Sequence, residues 1–141
     1  MINIKQIASV VFGGLLAGAV HAQELNSDSV IMTKTNASLE TLICETDESP
    51  NAKSFCSTIQ KNYSQLFMDL NVCARETTFF ANSLDLGSRH TLTNEQILAK
   101  SKAILTFKEE CTGAARTKYA AANQTAFDTA FPNGYDILGM K

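Results

Sequence analysis

The chain holds two histidines, two prolines and no tryptophan in 141 residues, and its basic residues form no cluster. With a net charge of −2 and no basic patch, neither nucleic acid nor anionic lipid is expected as the main partner. No Gly-x-Ser-x-Gly, His-Glu-x-x-His, phosphate-binding glycine loop or Cys-x-x-Cys-His stretch occurs. The common hydrolase, zinc-protease, nucleotide and haem signatures are therefore missing, and no cofactor is called for. No segment alternates apolar and polar residues for long, and no Asn-Gly turn joins two such runs, which argues against a β fold.

What is present begins with a leader. Lys5 precedes an apolar run from Ile7 to Val20, and Val20-His21-Ala22 puts small residues at the −3 and −1 positions of a cleavage site. The run falls short of the ~20 residues that cross a bilayer. Residues 1–22 thus read as a signal peptide cleaved after Ala22, and the mature chain is expected to carry no integral membrane segment. Lys5 is the only charged residue in the leader, so its removal makes the chain slightly more acidic. The expected location is the periplasm or the medium outside the cell.

Four cysteines, Cys44, Cys56, Cys73 and Cys111, follow the leader. In an exported chain an even count implies disulfides. Intervals of 11, 16 and 37 residues match no zinc-ligand spacing, so no metal site is expected.

The rest reads as all-α. The positions Cys56, Ile59, Tyr63, Leu66, Leu70, Cys73, Thr77, Phe80 and Leu84 step by threes and fours along one helical stripe, with Phe55, Phe67, Val72 and Phe79 beside it. Three helices are expected: a short one over 37–46 capped by Asn36, a long one over about 50–85, and another over about 94–131. Ser49-Pro50 suits the start of the second, Gly87 its end, and Thr93 with Gln96 forms a capping box for the third. The third carries a weaker stripe through Ile97, Ile104, Cys111, Ala115, Tyr119 and Ala122, flanked by Leu98, Leu105 and Phe107. Residues 23–35 read as an extended leader whose Val30-Ile31-Met32 is too short to make a sheet. Residues 36–141 form one helical domain, with a Tyr-x-Ile-Leu tail suited to folding back.

Helix geometry then ranks the three possible cysteine pairings. Cys56 and Cys73, on one continuous helix, stand about 25 Å apart at 1.5 Å per residue, far beyond the ~7 Å limit for a bridge. In an antiparallel long hairpin Cys73 and Cys111 fall at similar levels, while Cys44 and Cys56 bracket the acidic turn 45–53. The expected pairs are Cys44–Cys56 and Cys73–Cys111, worth about 3 and 4 kcal/mol by chain entropy. The expected fold is a small disulfide-stapled helical bundle.

Chemistry-bearing groups are few. His90, the only histidine after the leader, stands beside Arg89 and five residues after Asp85. As a general base it would need a nucleophile motif that is lacking, so a solvated loop tip is the preferred reading. Glu109-Glu110 and the Glu45/Asp47/Glu48 group lack the cross-cleft arrangement of an acid–base pair. Catalysis is not expected, and a hydrolase using His90 is the outlying alternative. Sequons at Asn36, Asn62 and Asn123 occur in a Ser/Thr-rich chain where such triplets arise readily.

The first helix is too short to cover the second, so the segment carrying Phe55, Ile59, Tyr63 and Phe67 is the candidate interaction surface. The function expected is binding of a protein partner, in an inhibitor, immunity or envelope accessory role, with a homodimer as a further option. The alternative is a carrier that holds an apolar small molecule or lipid among the aromatic residues of the bundle.

Overall fold

A computed structural model describes residues 29–85 and 91–139. The expected leader and cleavage site, with Gly87, Arg89 and His90, lie outside the described residues. The chain divides into two compact units, a helical one over Lys34–Asn133 and a small one built from the segments before and after it.

The helical unit holds α1 (Ala37–Thr46), α2 (Pro50–Ser83) and α3 (Asn94–Ala130). Each begins on the capping chemistry read from the sequence. Asn36 Oδ1 accepts from the Ser38 and Leu39 amides at 3.0 and 3.1 Å. Ser49 Oγ accepts from the Ala52 amide at 3.2 Å, with Pro50 at the first helical position, where its missing N–H costs nothing. Thr93 and Gln96 form the reciprocal capping box, at 2.9 and 3.2 Å.

The helix stops at Ser83, and Asp85 just after it is left-handed, with φ of 53°. Aspartate is among the few residues that tolerate that region. The Lys100 ammonium of α3 donates to the Leu84 carbonyl, one of the acceptors a helix end leaves without an intrahelical partner.

Both disulfides join the expected cysteines. Cys44–Cys56 ties the end of α1 to the start of α2, and Cys73–Cys111 ties the middle of α2 to the middle of α3, each with a Cα–Cα distance of 5.7 Å. The register they set, with Asn62 on Asn123 and Phe80 on Phe107, makes α2 and α3 an antiparallel hairpin along their whole lengths.

Only one end of that hairpin is three helices thick. There Leu39 and Ile43 of α1, Ala52 and Phe55 of α2, and Asn123 and Phe127 of α3 are all buried. Phe55, Phe127 and Phe131 form a triangle with centroid distances of 5.4 to 5.9 Å. This end is the head. The remaining two-helix length, from about Tyr63 to Ser83 on α2 and from Asn94 to about Tyr119 on α3, is the arm. Its core is thin: Cys73 and Ala115 are its buried residues, with Phe80 stacked on Phe107 at 4.8 Å.

In the small unit, β1 (Ile31–Met32) pairs antiparallel with β2 (Tyr135–Asp136), Met32 opposite Tyr135. This corrects the reading of residues 23–35 as a leader too short for a sheet, because the tail supplies the second strand. Gly134 makes the approach possible. It sits at φ of 80°, and a Cβ there would fall 2.7 Å from the Met32 carbonyl oxygen.

Candidate functional site

The four residues singled out as a surface separate into two pairs. Phe55 is 1% exposed and is a core residue of the head, which corrects its assignment to a surface. It faces Phe127 and Phe131, so it presents nothing to a partner. Ile59 is half-buried. Tyr63 and Phe67, just past the reach of α1, are each 62% exposed.

Those two are among several exposed apolar residues on the arm. Leu98 is 71% and Leu105 54% exposed, and on α2 Met68, Val72 and Phe79 also stand in solvent. Helical spacing sorts them by face. Cys56 faces α1, to which it is bonded, and Tyr63 follows it by two turns on the same line. Asn123 also faces α1, and Leu105 stands five turns away from it on one line of α3, with Leu98 two turns further. Tyr63, Phe67, Leu98 and Leu105 therefore share the face that α1 covers at the head and leaves open along the arm. Met68, Val72 and Phe79 lie on the outer side of α2.

The opposite face is different in kind. At the head it forms an open groove of about 440 Å³ lined by Asn51, Ser54, Thr58, Asn62, Thr125 and Thr129, with alanines of α3 between them. The Thr58, Thr125 and Thr129 hydroxyls donate to carbonyls of the preceding turn. Near the far end a second open groove lies beside Phe80, Ala103 and Phe107. A carrier would need an enclosed apolar chamber, and neither groove is one.

A polar cluster holds the head together in a way the spacing did not reveal. Asn123 is 1% exposed; its Nδ2 donates to Glu40 Oε1 at 3.0 Å, and its Oδ1 accepts from Asn62 Nδ2 at 2.9 Å. The Thr35 hydroxyl donates to the same Glu40 oxygen at 3.2 Å, and its amide donates to Gln124 Oε1 at 3.1 Å. One asparagine thus links all three helices. Among the described residues no buried side-chain polar atom lacks a partner. The three sequon asparagines all have structural roles, Asn36 as a cap and the other two in this cluster.

The acidic groups fall apart as chemistry. Asp47 accepts from the Ser49 amide at 2.8 Å and Glu48 pairs with Lys53 at 3.0 Å, so the acidic turn shapes the entry to α2. Glu109 and Glu110 are exposed on α3. On the arm, Asp69 meets Lys118 at 3.0 Å and Gln65 at 2.7 Å. Those hydrogen bonds, from Lys118 first and Gln65 second, hold its carboxyl below the usual aspartate range. Asp85 is described, but the His90 it would orient is not. Among the described residues no group of three His, Cys, Asp or Glu side chains is placed to hold a metal ion, and no helix is long and apolar enough to cross a membrane.

Comparison of the chain with protein-family models, curated proteins and solved structures returned no match.

Proposed function

We propose that this is an exported protein that works by binding another macromolecule in the periplasm or outside the cell, as an inhibitor, an immunity protein or an envelope accessory. The observation that carries the reading is the open face of the arm, where Tyr63, Phe67, Leu98 and Leu105 stand in solvent beside a head whose own apolar residues are buried. Large apolar side chains exposed on one face of a helical hairpin suit a place where another chain sits. Aromatic residues on rigid helices suit the task, since they offer large contact area with little rotamer entropy to lose. Two disulfides accord with an oxidising compartment.

The test is capture from the organism's own envelope fraction with the mature, oxidised chain as bait. A bound macromolecule whose recovery falls sharply with Phe67→Asp, while the variant keeps its helicity, supports the reading. Capture that survives Tyr63→Asp and Phe67→Asp together contradicts the assigned surface. The carrier alternative has less to stand on, because, of the α2 aromatic side chains it would need at a cavity wall, Phe55 fills the head and Tyr63, Phe67 and Phe79 stand in solvent.

A further inference from the structure

We propose that the Cys44–Cys56 bond is a redox-controlled clasp on α1, which a dithiol reductant opens while Cys73–Cys111 stays closed. The two bonds differ in what decides thiol–disulfide exchange, namely which sulfur can be attacked and which must leave.

Cys44, in the last turn of α1, is exposed, and its partner Cys56 is half-buried. A thiolate arriving from solvent attacks Cys44 Sγ, and the Cys56 sulfur, still in contact with water, leaves as the thiolate. The second thiol of the reductant then attacks the mixed disulfide and releases Cys44. Two electrons and two protons pass from the dithiol to the protein. Both cysteines end as thiols, and the reductant ends as its own disulfide.

Cys73–Cys111 offers neither step. Cys73 is 3% exposed, so a thiolate from solvent does not reach its sulfur. Attack on the half-buried Cys111 would have to expel Cys73 as a thiolate into the closed seam between α2 and α3. Burial disfavours that anion and makes it a poor leaving group.

What the clasp holds is α1. At ten residues it is shorter than helices that persist alone in water, so its tertiary ties decide whether it stays wound. Its start is tied by polar contacts: Glu40 accepts from Asn123, and Thr35 just before the helix donates to Gln124. Its end is fastened to α2 by the bond to Cys56. Leu39 and Ile43 lie between the two ties and are fully buried, with Ile43 next to Cys44. Opening the short loop closed by this bond favours the unwound state of α1 by roughly a hundredfold in equilibrium. Reduction therefore loosens the last turn of α1 and the acidic turn after it, and lets water reach Ile43. The α2–α3 hairpin keeps its register through the bond that remains.

The test uses the mature, oxidised chain with dithiothreitol as the dithiol. Thiols freed over time are blocked with iodoacetamide and located by peptide mass mapping. Cys44 and Cys56 should be labelled at least about tenfold faster than Cys73 and Cys111, giving a species with two blocked thiols. In that species hydrogen exchange over Leu42–Thr46 should rise by roughly a hundredfold, with α2 and α3 around Cys73–Cys111 unchanged. The double variant Cys44→Ser, Cys56→Ser should show the same loosened α1 without any reductant, which separates loss of the bond from an effect of the blocking groups. Labelling of Cys73 and Cys111 as early as the other pair overturns the proposal. So does an α1 that stays equally protected once its bond is open, or protection lost across all three helices together.

Discussion

The head and the arm share the same two helices, yet they are held by different forces. In the head, α1 adds Leu39 and Ile43 to a core of Phe55, Phe127 and Phe131, and Asn123 ties the three helices by directed hydrogen bonds. The arm lacks a third layer and keeps its pairing through one covalent bond, one aromatic stack, a surface ion pair and the Lys100 hydrogen bond to the Leu84 carbonyl. A two-helix hairpin has one interface on which to bury apolar residues, so any others it carries must face water or a neighbour. The comparison teaches that stability and display are separated along one hairpin, with the staple at Cys73–Cys111 allowing the arm to expose what the head hides.

The difference should be largest in core truncations. Phe127→Ala empties part of the aromatic triangle and should cost about 3–5 kcal/mol in chemical denaturation. Phe67→Ala, measured on dilute protein, should stay within about 0.5 kcal/mol, as exposed positions usually do. Equal costs at the two sites would erase the distinction between head and arm. Next comes the covalent tie. Replacing Cys73 and Cys111 together by alanine should cost about 4 kcal/mol, against about 3 for the Cys44 and Cys56 pair, because the closed loop is longer.

A smaller effect belongs to the polar cluster. Asn123→Ala leaves the Glu40 carboxylate and the Asn62 amide without their shared partner, at about 1–3 kcal/mol. The loss should appear as a lower denaturation midpoint with the α1 amides exchanging faster. The smallest concerns Asp69. Its folded-state pKa is lowered from the ordinary 3.8, so its contribution is complete above that value and disappears as the pH falls through the lower folded value. Asp69→Asn should therefore lower stability slightly at neutral pH, where that contribution is complete, and by less as the pH falls below 3.8, where it is disappearing. Both groups are partly exposed and screened by salt, which keeps the effect small.

The sequence disclosed what local chemistry decides. Asn36, Ser49-Pro50 and Thr93-x-x-Gln96 each satisfy amides within three residues, so the helix starts were legible to the residue. The disulfide pairing was legible because the rise per residue turns spacing into distance. Questions of relative placement were not. The stripe on α2 is continuous, and nothing in it says where α1 stops, so Phe55 and Phe67 looked alike although one is core and the other exposed. Asn123 sits among alanines and signals only a sequon; its partner Glu40 lies on a helix whose position periodicity does not give. The pairing of β1 with β2 joins two dipeptides, too short for alternation to register. Asp85 is left-handed without any glycine to announce it, since a short carboxylate side chain tolerates that region.

The central claim is that the arm owes its pairing to the Cys73–Cys111 bond while the head stands on its own core. Hydrogen exchange by mass spectrometry, on dilute wild type and on the Cys73→Ala, Cys111→Ala variant, measures this directly. The account predicts that protection collapses over Cys73–Ser83 and Asn94–Cys111 and persists in α1, the first turns of α2 and the last turns of α3. Protection lost evenly across all three helices, or retained along the arm, would contradict it.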